Sequence, residues 1–429
     1  MMPNTNSVFI LKGQIIYAKP DHSVRYLENA YVVCQSGKVE GIYETLPSHL
    51  GTFPIIDYKD KLIIPGMSDL HVHAPQYPFR GLGMDLELLD WLNTNTFPEE
   101  AKYQNLAYAH EAYSIFTDDL IHSTTTRACI FATIHPEATL DLMEQLEKSG
   151  LHTYVGKVNM DRNGSPDLQE ESATASYEAT RNWIIDAQKK FVHTKPILTP
   201  RFIPSCSDEL MIKLKSLQEE YQLPFQSHLS ENLDEIKWVQ ELVPSSKFYG
   251  DAYHQFGLFG GKVPTIMAHC IYSSKEEIKL MKENNVYIAH CPESNTNIVA
   301  GIAPIREYLD KNLHIGLGSD VAGGTSLSLL KAMAMAIQVS KLYYRVIDTT
   351  KKPLTTEEAF YLATLGGGSF FGKVGSFLPG YDFDAVVLDD LSLKTPRSLS
   401  LKDRLERILY YSDRLQIVAK YVEGQALTL

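Results

Sequence analysis

His71-Val72-His73 puts two imidazoles two residues apart. Alternate residues of an extended strand face the same way, so both rings point to one side and Val72 to the other. One strand can thus supply two nitrogen ligands. Three more apolar runs end in the same kind of donor: Gln226-Ser227-His228-Leu229-Ser230-Glu231, Ala268-His269-Cys270 and Gly318-Ser319-Asp320. One such pair alone could be two polar residues at a strand end. Histidines and a carboxylate at four strand ends form a pattern, and nitrogen/oxygen donors suit zinc, with iron or manganese able to take the same set. Such an ion would activate water for hydrolysis.

The sequence points to a single ion. A second would need a bridging group, such as a carboxylated lysine, at the end of the fourth apolar run. That run closes on Thr199-Pro200-Arg201-Phe202, and a permanently charged arginine cannot ligate. Cys270 and Cys291 each follow a histidine within a strand. They are expected to face away from His269 and His290 as buried, inert thiols. His290 is expected to line the site or to be a core histidine, not a ligand. His152, His193 and His254 lack donor company and are expected to be structural or on the surface.

These donors need a scaffold that brings separated strand ends together. Eight short apolar runs recur through the middle of the chain: Leu62–His73, Thr124–Ala132, His152–Met160, Pro196–Phe202, Pro224–Glu231, Thr265–Cys270, Val286–Pro292 and His314–Asp320. Helical patterns separate the later ones, at Ser207–Tyr221, Leu233–Val243, Ser273–Asn284 and Ile302–Lys311. Strand-then-helix repeated eight times predicts an α/β barrel, whose active sites lie at the C-terminal ends of the strands. Residues 7–60 and 376–429 alternate in the β manner, which predicts a small β-sandwich built from both ends of the chain. The expected division is 1–65, 66–375 for the barrel, and 376–429. Gly366-Gly367-Gly368 follows a helical pattern and is read as a helix end with a flexible exit.

Composition narrows the function. The chain has 429 residues, 40 basic and 52 acidic, for a net charge of -12. That disfavours a sequence-independent nucleic-acid binder and an anionic membrane surface as partners. No apolar run of about 18 residues is present to span a bilayer, and Met1–Lys12 shows no leader pattern. Five scattered cysteines without a C-x-x-C read as reduced thiols of a cytoplasmic enzyme. No glycine-rich phosphate-binding motif occurs. The paired H-x-E and P-C-x-x-C motifs of cytidine-deaminase-like zinc enzymes are not found together.

The run Pro65-Gly66-Met67-Ser68-Asp69-Leu70-His71-Val72-His73, with His228, His269, Gly318-Ser319-Asp320 and Leu378-Pro379-Gly380-Tyr381-Asp382-Phe383-Asp384-Ala385, resembles the metal-dependent amidohydrolase superfamily. His290-Cys291-Pro292-Glu293-Ser294-Asn295 is similar to its branch of chlorohydrolases and aromatic-base deaminases. Within that branch, four pieces resemble the guanine deaminase family: His73-Ala74-Pro75-Gln76; Trp91-Leu92 followed by Thr96-Phe97-Pro98 and Glu100; Thr199-Pro200-Arg201-Phe202; and His228-Leu229-Ser230-Glu231-Asn232.

The resemblance implies hydrolysis of guanine to xanthine and ammonia by a cytoplasmic homodimer with one zinc per subunit. It implies His71, His73, His228 and Asp320 as metal ligands. His269 becomes a further ligand or a partner of the activated water, and Glu231 the proton shuttle. Glu231 could instead merely complement the dipole of the helix at Leu233. Gln76, Arg201 and Phe202 become the purine-binding set, because a guanidinium offers fixed donors to the C6 oxygen. Gly81–Glu100, with Trp91 and Phe97, becomes a lid. The alternative is another aromatic-base amidohydrolase: an 8-oxoguanine, cytosine or adenosine-type deaminase, or a chlorohydrolase. A scaffold protein of the same fold would be expected to have lost its ligands.

Overall fold

The structure is a computed structural model that describes residues 8–429. Residues 1–7, which include most of the segment read for a leader, lie outside the described residues.

Strands β1 (Val8–Ala18), β2 (Val24–Gln35), β3 (Lys38–Tyr43) and β4 (Ile55–Pro65) open the chain. They are rich in β-branched and aromatic residues, which fit a pleated, half-buried surface. β1 pairs antiparallel with β2 and parallel with β4. The first apolar run read from the sequence divides at Gly66. Leu62–Pro65 remains in β4, and Met67–His73 becomes β5, the first barrel strand. Any side chain at Gly66 would run into Thr126, so the passage from one sheet to the other requires glycine.

The other barrel strands are β6 (Thr125–Phe131), β7 (His152–Gly156) with its continuation β8 (Val158–Asn159), β9 (Thr194–Pro196) with its continuation β10 (Thr199–Pro200), β11 (Phe225–Leu229), β12 (Thr265–His269), β13 (Tyr287–His290) and β14 (His314–Leu317). They form a parallel sheet in the order β11-β12-β13-β14-β5-β6-β7-β9. Leu198 donates to Pro224 O and accepts from Gln226 N, which joins the last strand to the first and closes the eight-stranded barrel. Both faces of such a sheet are covered, so its strands read as continuous apolar runs. Leu70, Cys129, Ile197, Ile266, Ala268, Ala289 and Cys291 fill the interior above Phe370.

Helices at Asp208–Tyr221, Leu233–Leu242 and Lys275–Glu283 match their sequence patterns. The fourth covers only Ile305–Asp310, because Pro304 occupies its N-cap and the turn before it cannot continue the helix. The triple glycine is not a flexible exit. A Cβ on Gly367 would lie 2.9 Å from Ser68 O, and one on Gly366 2.5 Å from Ile315 O. The glycines let the closing helical segment sit directly on β5 and β14.

Strands β15 (Ala385–Asp389), β16 (Gln416–Val422) and β17 (Gln425–Ala426) return to the first sheet, giving the order β17-β16-β15-β4-β1-β2-β3. The sheet curls around Leu11, Ile15, Val32, Phe377, Phe383 and Tyr421. Its ends meet where Phe383 N donates to Gly37 O and Gly424 N donates to Phe383 O. Arg127 of β6 ties this unit to the barrel through Asp382 and Asp384.

Candidate active site

The barrel brings the five expected donors to one rim. His71 and His73 end β5, His228 lies near the end of β11, His269 ends β12, and Asp320 follows β14. His71 Nε2 stands 3.2 Å from His73 Nε2 and 3.2 Å from Asp320 Oδ1. His73 Nε2 is 3.5 Å from the same carboxylate oxygen. Donor atoms of His71, His228 and His269 all lie within 4.8 Å of one another. His269 and Asp320 adopt left-handed backbone angles, φ 70° and 47°, which aim their side chains across the mouth. Asp320 is held there by its N–H on His71 O at 2.8 Å and by Ser294 Oγ on Oδ2 at 2.6 Å.

Outer partners set the tautomers. His228 Nδ1 donates to Arg201 O at 2.6 Å, and His269 Nδ1 donates to Asn295 Oδ1 at 2.8 Å. Each Nε2 lone pair therefore faces the other donors. Burial drives the pKa values of His73 and His228 well below the usual imidazole range, which keeps both rings neutral. Burial alone would raise Asp320, but its interactions with the facing imidazoles, that of His71 foremost, outweigh it and lower the carboxyl. Lone pairs and a carboxylate crowded together in a dry space repel one another unless a cation sits among them. The donor set therefore fits a divalent ion.

Two further residues lie beside these strand ends. Cys291 does alternate away from His290, but this turns it inward. Its sulfur lies within 4.8 Å of the donor atoms of His269 and Asp320, while burial pushes its thiol far up and leaves it protonated. His290 is buried with neither ring nitrogen hydrogen-bonded to protein, and burial lowers its pKa to about 3.

A cleft opens over the donors, lined by His73, Gln76, Leu88, Trp91, Leu92, Arg201, Phe202, His228, Glu231, Glu235, His269, Ile298, Asp320 and Gly323. Glu231 Oε1 is 3.5 Å from His269 Nε2. Burial, reinforced by Asp320, raises the Glu231 carboxyl well above its usual range, which favours its protonated form. Phe202 lines the cleft and meets Trp238 edge-on at 6.1 Å between ring centroids.

Gln76 and Arg201 reach the cleft but are less free than their types suggest. Gln76 Oε1 accepts from Ala322 N at 3.2 Å, and its Nε2 donates to Glu100 Oε1 at 2.9 Å. Arg201 forms a buried bidentate pair with Glu100, at 2.7 and 3.1 Å. Glu100 stands in one of the motifs of the sequence, but nothing there marks a role for it. Nothing local shows that residues 101 positions apart will meet. The same holds for Asn295, Ser294, Glu235, Ile298 and Gly323. The expected lid is a nearly unbroken helical run, Leu88–Ala101, whose Leu88, Trp91 and Leu92 line the cleft. Phe97 does not line it. Its ring instead lies 5.2 Å from Arg201 Cζ.

The sequence profile of the amidohydrolase family matches residues 62–427. The guanine deaminase of Dictyostelium discoideum is 40% identical over 381 residues, 87% of this chain and 84% of that protein. That of Escherichia coli (strain K12) is 35% identical over 415 residues, 94% and 92% of the two chains. The solved guanine deaminase from C. acetobutylicum, with bound guanine in the active site, superposes with a TM-score of 0.95. It shares 49% identity and covers 98% of this chain and 100% of its own.

Proposed function

The chain belongs to the amidohydrolase family, and on that premise we infer that it hydrolyses guanine to xanthine and ammonia. One observation carries the reading. One cleft joins a histidine/aspartate donor cluster, the buried Glu231 carboxyl and an arginine–glutamine pair in its lining.

His71, His73, His228 and Asp320 hold one zinc ion in this proposal, and iron can take the same donors. His269 joins them as a further ligand. Its Nδ1–H is committed to Asn295, so Nε2 offers a lone pair rather than a donor to an oxyanion. When bound, such an ion lowers the pKa of water from about 15.7 to about 7 and so supplies a nucleophile at neutral pH.

The protein's own groups do the rest. A C2–O bond must form and the C2–N bond must break. Asp320 takes a proton from the attacking water. Glu231 gives its proton to a purine ring nitrogen as C2 becomes tetrahedral, then takes the proton of the new C2 hydroxyl and passes it to the departing amino group as the C2 carbonyl forms; the proton held by Asp320 restores Glu231. The N–H groups that Arg201 keeps beyond its pair with Glu100 read the C6 oxygen, and the remaining amide N–H of Gln76 binds the purine edge. Phe202 and Trp91 flank the ring, and the Leu88–Ala101 cover excludes water.

Five buried free cysteines suit a reducing, cytoplasmic setting, where the activity would serve guanine breakdown. The likeness to guanine deaminases supports a homodimer, which sedimentation would test. Among the described residues no helix is long and apolar enough to cross a membrane.

The deciding experiment incubates metal-loaded protein with guanine and follows xanthine and ammonia, with and without a chelator. A panel containing 8-oxoguanine, cytosine and adenosine separates the related deaminases. Metal-loaded protein that releases no ammonia from guanine overturns the reading.

A further inference from the structure

Every side-chain hydrogen bond of Glu100 goes to one of the two polar residues read above as facing the purine. Its Oε1 accepts from Gln76 Nε2 and Arg201 Nη2, and its Oε2 accepts from Arg201 Nη1. Glu100 is 1% exposed. Gln76 follows β5 and Arg201 follows β10, whereas Glu100 belongs to the cover. The network continues to the cation donors at both ends. Gln76 Oε1 accepts from Ala322 N, two residues past Asp320, and Arg201 O accepts from His228 Nδ1. Phe97, also in the cover, presents its ring to the guanidinium.

We propose that Glu100 is a positioning residue that sets substrate specificity. It fixes Arg201 and Gln76 relative to each other and offsets the arginine's charge, so the cleft recognises an exocyclic oxygen by direction rather than by charge. This rests on the reading of Arg201 and Gln76 as the purine-facing pair. An unpaired guanidinium in a dry cleft would attract any anion and sample many rotamers. A bidentate carboxylate fixes its plane and leaves the outer N–H groups aimed. The same contact couples the cover to base recognition, because Glu100 of the cover bonds both partners. Glu100 touches no reacting atom, so it acts through substrate choice.

The test compares guanine with 2-aminopurine, which has the same C2 amino group and lacks the C6 oxygen. The ratio of their kcat/KM values is measured in the parent, Glu100→Gln, Glu100→Asp and Arg201→Met. A merely structural loss would lower both substrates together. The preference for guanine is expected to fall about tenfold or more in Glu100→Gln and to collapse in Arg201→Met, since a site built to bind an oxygen discriminates strongly. Glu100→Asp keeps the charge but shortens the reach, and is expected to lose at least about threefold. It serves as the readout if Glu100→Gln does not fold. Guanine preference within twofold of the parent in the folded Glu100 variants, beside a collapsed Arg201→Met, overturns the role of Glu100 alone. Parental preference in Arg201→Met overturns the reading of the pair itself.

Discussion

The backbone oxygen of Arg201 accepts a 2.6 Å hydrogen bond from His228 Nδ1. In the proposed function this one residue offers its side chain to the base and its main chain to an imidazole that holds the ion. Substrate recognition and cation binding would then share a backbone segment, so a shift in one would displace the other.

Glu231→Gln keeps the shape and removes the proton. The variant is expected to hold its metal and lose about 10²- to 10⁴-fold in kcat, the range for a general acid–base group. Metal analysis and steady-state kinetics on guanine check it. A kcat near the parent's would remove Glu231 from proton transfer.

Asn295→Ala frees the His269 ring that its amide oxygen now orients. Loss of such a partner typically costs about 10- to 100-fold in metal affinity. Competition with a chelator of graded concentration measures this. Unchanged affinity would mean that His269 does not ligate.

Asp384 binds Arg127 bidentately, at 2.7 and 3.1 Å, where the barrel meets the end-formed sheet. The aspartate side chain is 0% exposed and the arginine 6%. Asp384→Ala leaves a buried guanidinium with Asp382, the His152 ring and the half-exposed Glu423, and should cost about 3 kcal/mol of stability. Denaturant unfolding would measure it. KM for guanine should not move, because the network lies at the opposite end of the barrel from the rim. A stability loss well under about 1 kcal/mol would show that Asp382 suffices.

Lys420 is fully buried, and among the described residues its ammonium bonds main-chain oxygens alone, those of Leu120, Ile121 and Thr125. Burial lowers its pKa from 10.5 to about 7. The unfolded chain therefore binds more protons between those values, so stability should rise with pH from about 7 to about 10.5, and the penalty should be full below about 7. In Lys420→Met this component disappears, although three carbonyls lose their donor. Thermal melts of both proteins from pH 7 to 10 should diverge, the parent gaining on the variant. Parallel curves would show that Lys420 stays charged.

Much of the fold was legible before any coordinates. Eight apolar runs, the later ones separated by helical patterns, point to a closed parallel sheet, because strands covered on both faces are apolar throughout. The ligand types were legible for the same reason: histidine and aspartate at strand ends are expensive to bury without a partner. The boundary at Gly66 was hidden, since β4 and β5 form one continuous apolar run that only the proximity of Thr126 divides. The triple glycine was misread because close packing and flexibility leave the same local signal. Cys291 proved the buried, inert thiol expected, although alternation could not tell whether it or His290 faces the interior.

The sequence by itself determined the barrel, the sheet made from both chain ends, and the chemistry of the donors, because periodicity and residue type are local properties. Tertiary structure alone decided that Glu100 clamps Arg201 and Gln76, that Asn295 and the Arg201 carbonyl fix the imidazole tautomers, and that the Leu88–Ala101 helix roofs the cleft. Those are contacts between segments dozens to hundreds of residues apart. No local pattern encodes them, because barrel closure and the low dielectric of the interior give them both their geometry and their strength.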